Sequence, residues 1–90
     1  MLFALMTKDK VDHLQTRLDN RAAHLAYVKE SGVVAMAGPL LDDAGDMCGS
    51  LVILDVPDRN VAETWAENDP YAKAGLFETV TITAWKKVIG

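Results

Sequence analysis

The sequence predicts an α+β fold in which one four-stranded antiparallel sheet is built in the order β-α-β-β-α-β. Three observations carry this. Short β-rich runs stand at both ends of the chain and twice in its middle, a long stretch with apolar residues every three or four positions follows the first run, and a shorter such stretch follows the third. That order is the split βαβ arrangement of ferredoxin-like folds.

Leu2-Phe3-Ala4-Leu5-Met6 is a short apolar run ending in charge, the pattern of a buried strand. From Asp9 to Ser31, Val11, Leu14, Leu18, Ala22, Leu25 and Val28 recur at helical spacing, which predicts one helix burying those residues and stopping at Gly32. Asp19-Asn20 within it are better caps than interior residues, which predicts a kink or a division there. Val33 to Leu41 returns to strand character as far as Gly38-Pro39, and Asp42 to Asp46 reads as a polar hairpin loop. Gly49 to Val56 is the next β-rich run. Asp58 caps a helix that carries Val61, Ala62, Trp65 and Ala66 and stops near Asn68; Asp69-Pro70 starts a short turn or helix closed by Gly75. Phe77 to Val88, rich in Thr, Val and Ile, is the last strand.

Ninety residues suit one domain over 1–90, and half of them are hydrophobic, enough to build a core. Nine basic residues against thirteen acidic ones, with no cluster larger than Lys86-Lys87, argue against a nucleic-acid partner. A single cysteine, Cys48, and the absence of Cys-x-x-Cys or His-rich spacing give no metal site and suit a reducing cytoplasm. The apolar start is too short for a signal peptide or a membrane span. Both faces of the first and third strands are apolar: Phe3 and Leu5 oppose Leu2, Ala4 and Met6, and Leu51 and Ile53 oppose Val52, Leu54 and Val56. Two helices cover one face only, so a second subunit is expected on the other. Burying about 600 Å² there per subunit is worth roughly 15 kcal/mol before association costs. The alternative is that loops and the last strand cover it locally.

Few residues have chemistry to offer. His24 lies three positions after Arg21 and on its side of the long helix, at the flank of the apolar stripe, a place for the rim of a cavity; a solvated surface ring is the plain alternative. His13, among Lys10, Asp12 and Gln15, reads as solvent-facing. Asp69 before Pro70 is a helix N-cap, and a carboxylate held by backbone N–H groups is also able to orient an imidazole. Ser50 points to the side of Val52 and Leu54, where most serines only satisfy a backbone group. It lacks the Gly-x-Ser-x-Gly setting of a hydrolase nucleophile.

The segments Arg21-Ala22-Ala23-His24-Leu25, Ala37-Gly38-Pro39-Leu40, Gly49-Ser50, Trp65-Ala66 and Asn68-Asp69-Pro70-Tyr71 through Ala74-Gly75 together resemble the YciI-like (YCII-related) family over essentially the whole chain. R-x-x-H, the Gly-Pro pair and D-P-Y-x-x-A-G, in that order, are its most specific elements. The resemblance implies a ferredoxin-like fold whose sheets pair into a dimeric α+β barrel, and a His-Asp active site at His24 and Asp69. Arg21, Ser50 and Tyr71 fall on motif positions and are extrapolated to substrate binding.

On that basis His24 is expected to act as a general acid-base without a cofactor, in an isomerisation or elimination on a small organic molecule of aromatic or enol type. Arg21 would hold a carboxylate or phenolate, and Ser50 or Tyr71 would bond to developing oxygen charge. The rival expectations are a non-catalytic ligand-binding or regulatory dimer and a purely structural one, since the fold supports either.

Overall fold

The computed structural model describes residues Met1–Gly90. Seven elements follow one another: β1 (Leu2–Asp9), α1 (Leu14–Ser31), β2 (Val34–Leu41), β3 (Met47–Asp55), α2 (Arg59–Asn68), α3 (Pro70–Lys73) and β4 (Phe77–Trp85). The strands form a single sheet in the order β2-β3-β1-β4, and every pairing is antiparallel. The central strands β1 and β3 are the two whose faces are both apolar, as a strand with neighbours on each edge requires. Pro39 lies within β2, an edge strand, the part of a sheet where a residue without an N–H is tolerated.

Phe3, Leu5, Val52 and Leu54 form the core with Val56, Ala62 and Trp65, and Tyr27 and Val28 of α1 pack against them. Both long helices therefore cover the same sheet face. Tyr27 donates to the Trp65 carbonyl at 2.8 Å and the Trp65 indole donates to Ser31 Oγ at 3.0 Å, so the two helices are bonded together as well as packed. The turn chemistry is local. Asp42 Oδ1 accepts from Ala44 N and Asp46 N in the β2–β3 hairpin, and Asp58 Oδ1 caps α2 by accepting from Val61 N at 3.0 Å. Gly32 ends α1 with φ +67°.

Three expectations need correction. The first strand does not stop at Met6 but runs to Asp9, because Thr7 and Asp9 continue the inward alternation of Phe3 and Leu5 and are themselves buried. The long helix begins at Leu14, after a turn in which Asp12 takes φ +60°, and it is unbroken at Asp19-Asn20. Both side chains are engaged along the helix instead of capping it: Asp19 accepts from Gln15 Nε2 at 2.7 Å and Asn20 Nδ2 donates to the Thr16 carbonyl at 2.8 Å. Finally, Val11, Leu14, Leu18 and Leu25 are exposed, and the buried residues of α1 are Arg17 and His24. The helix turns a polar line inward because carboxylates from β1 and from the α2–α3 junction wait there to pair with it.

Candidate active site

Asp69 occupies the joint between two helices. Its backbone N–H donates to the Ala66 carbonyl at the end of α2, and its Oδ1 accepts from Tyr71 N at 2.9 Å at the start of α3, with Pro70 in the first helical position. The same oxygen lies 2.8 Å from His24 Nδ1, and both side chains are buried, 9% and 3% exposed. An ionised carboxylate only accepts, so Nδ1 carries the proton and donates it. In the neutral imidazole that tautomer puts the lone pair on Nε2, at the opposite edge of the ring. The Tyr71 ring stacks on the imidazole, 4.0 Å between centroids and 12° from parallel, which fixes the plane of the histidine.

A second buried group stands beside this one, and neither of its charged members was singled out in the sequence. Arg17 Nε donates to Asp9 Oδ2 at 2.8 Å, and Nη2 donates to Asp9 Oδ1 at 3.0 Å and to Ser50 Oγ at 2.9 Å. The guanidinium carbon lies 4.7 Å from the Tyr71 ring centroid, so Tyr71 touches both the His24–Asp69 and the Arg17–Asp9 pairs. Burial by itself lowers the pKa of Arg17, but the hydrogen bond and charge of Asp9, with smaller contributions from Tyr71, outweigh it and hold the guanidinium above its ordinary value. The signal that would have found this pair was the alternation Phe3, Leu5, Thr7, Asp9 along β1 and the seven-residue step from Arg17 to His24, two turns along one helix face.

These residues open onto a cavity of about 360 Å³ between α1 and the β2–β3 strands. Its polar lining is Arg17, Arg21, His24, Ser50 and Tyr71; Leu25, Val28, Pro39 and Met47 are among its apolar walls, and no carboxylate lines it. Asp69 is therefore behind the histidine and does not line the cavity. Arg21 is exposed at its border, whereas Arg17 is 3% exposed. A larger hollow of about 770 Å³ beside Asn20, Asn68 and Lys73 is an open groove without an acid-base pair. Burial pushes the Tyr71 phenol up, and Asp69 adds to the shift; Arg17 and Arg21 pull it down without cancelling it, so Tyr71 is a neutral donor near neutral pH. No helix is long and apolar enough to cross a membrane.

The chain is similar to known proteins along nearly its whole length. Protein YciI of Escherichia coli O6:H1 is 37% identical over 97 aligned positions, covering 98% of this chain and 99% of that protein. An uncharacterized protein of Haemophilus influenzae is 31% identical over the same shares of both chains. Among solved structures, 5-chloro-2-hydroxyhydroquinone dehydrochlorinase (TftG) from Burkholderia phenoliruptrix AC1100, in complex with 2,5-dihydroxybenzoquinone, superposes with a TM-score of 0.87. It is 39% identical, over 96% of this chain and 94% of that one. An antibiotic biosynthesis monooxygenase, 11% identical with a TM-score of 0.61, shares the fold alone. The YCII-related domain model matches residues 1–86, and with these relatives it makes the chain a member of the YciI-like, YCII-related family, with that family's ferredoxin-like α+β fold.

Proposed function

We propose that the protein is a cofactor-independent acid-base enzyme that eliminates or isomerises on a small hydroxylated aromatic or quinoid molecule. The observation that carries this reading is a histidine whose Nδ1 is fixed by a buried aspartate and whose Nε2 is left for a molecule in the cavity. The dehydrochlorinase among the relatives supports the substrate class. Loss of HCl from a chlorinated trihydroxybenzene needs only proton movements. A proton goes from one ring hydroxyl to the carbon bearing chlorine, a second hydroxyl gives up its proton, the C–Cl bond breaks, and chloride and a hydroxyquinone leave. His24 is suited to carry those protons, with Tyr71 and Ser50 donating toward oxygen.

We assign the reaction to a homodimer joined through the helix-free face of the sheet, and to a reducing compartment such as the bacterial cytoplasm, where Cys48 stays a thiol. The test is chloride release from 5-chloro-2-hydroxyhydroquinone. His24→Ala is expected to lose about 10²- to 10⁴-fold in kcat. Asp69→Asn loses a large part of the same rate. Release by His24→Ala at the full rate ends the acid-base reading. A ligand that raises the melting temperature but is recovered unchanged from the native protein favours the non-catalytic binding role.

A further inference from the structure

The Arg17–Asp9–Ser50 group has a geometry that packing does not explain. A buried ion pair is weak evidence for stability, since desolvation of both charges offsets most of their attraction. Here the pair sits at the wall of a cavity. The single hydrogen on Nε and the two on Nη2 are committed to Asp9 and Ser50, which leaves the two hydrogens of Nη1 bonded to neither, on a side chain that lines the cavity with the Tyr71 hydroxyl close beside its guanidinium. The bidentate carboxylate and the serine lock the guanidinium plane in place, so Nη1 is held in one position before anything binds. Arg21, at the exposed border, has a charge screened by solvent, and its attraction for an anion is several-fold weaker than that of a desolvated guanidinium.

We infer that Arg17, through Nη1, is the residue that holds an oxyanion of the substrate, and that the substrates are accordingly small planar compounds bearing an ionised enol or phenol oxygen. This inference rests on the proposed function and names the substrate class for the same cavity. Ser50 then acts as a positioning residue. It takes one Nη2 hydrogen and keeps the fork from rotating. With no carboxylate among the lining residues, nothing in the cavity repels such an anion.

The probes are 2,5-dihydroxybenzoquinone, whose enol hydroxyls are vinylogous acids and ionised at neutral pH, and hydroquinone, which has nearly the same shape and is uncharged there. Isothermal titration of the full chain is expected to give at least a tenfold preference for the anion. The double variant Asp9→Asn/Arg17→Gln removes both buried charges together, so neither is left unpaired. It is expected to bind the two compounds equally, with its hydroquinone affinity unchanged within about threefold and a native far-ultraviolet dichroism spectrum. Arg21→Gln is expected to retain most of the preference. A double variant that still prefers the anion, an Arg21→Gln protein that loses the preference, or a native protein that shows none overturns the assignment. The two readings fail separately in the native protein: anion preference without chloride release upholds Arg17 and removes the enzymatic reading, while chloride release without anion preference upholds the enzyme and removes Arg17's role.

Discussion

Tyr71 links the two buried charge pairs, and its phenol gives the site a titration that can be read in the stability of the whole chain. Burial raises the pKa of Tyr71 above its ordinary 10.0, and burial together with Asp69 does the same for Tyr27, whose hydroxyl donates to the Trp65 carbonyl. Both folded values lie above the unfolded ones, so the folded state holds these protons more tightly. The stability they contribute is fully present below about pH 10 and is lost as pH rises through the folded values. Urea unfolding followed between pH 8 and about pH 11 is expected to show a midpoint that is level at first and then falls. Replacing both residues by Phe is expected to flatten the alkaline part of that curve. An alkaline limb that persists in the double Phe variant would assign the loss to other groups.

At the scale of the element, β3 and α1 show what sequence periodicity reads well and what it misreads. The alternation in β3 put Ser50 on the side of Val52 and Leu54, where the structure has it, because a central strand has its pleat enforced on both edges. The expected helix face of α1 is another matter: Leu18 and Leu25 stand 46% and 52% exposed while Arg17 and His24 are buried. Apolar spacing identifies a buried face only when burial is driven by apolar contact. Here the inward face is set by Asp9 and Asp69, charged partners on other elements, and the spacing of apolar residues along the helix carries no trace of them. The resemblance to a family located His24 and Asp69; nothing in its motif named Arg17. Gly49 shows a similar dependence on a neighbour. A Cβ there would lie 2.2 Å from the Thr7 carbonyl oxygen, so β1 and β3 reach their spacing only because residue 49 has no side chain. Gly49→Ala is expected to cost about 1–3 kcal/mol, a fall of roughly 4–8 °C in Tm per kcal/mol, because strand backbone and not a flexible side chain must move. Ser50, the next residue, would shift with it, so the variant is expected to lose the chloride release of the proposed reaction at temperatures where it is still folded. Unchanged Tm in a thermal scan would mean that the strands are not held that closely.

On the scale of the whole molecule, the helix-free side of the sheet is the surface that the fold leaves unfinished. Two cross-strand rows run over it, Met36–Ile53–Ala4–Thr83 and Gly38–Leu51–Met6–Thr81. Met6 and Met36 are 46% and 52% exposed, and the core helices lie on the other side. Methionine adapts to an opposing surface with little loss of packing, and a two-fold axis through this face would set each row against its own copy. Met6→Glu therefore enters such an interface twice. Burying two unpaired carboxylates costs several kcal/mol each, which weakens association roughly 10³-fold or more. Met6 also points away from the side on which Thr7, Asp9 and Ser50 are buried, so the substitution leaves the cavity's own residues in place. Sedimentation velocity at micromolar concentration is expected to give a dimer for the native chain and a monomer with native dichroism for Met6→Glu. A native chain that sediments as a monomer, or a Met6→Glu protein that remains a dimer, would show that this face is not where two copies meet, and that its methionines are covered by something other than a second copy.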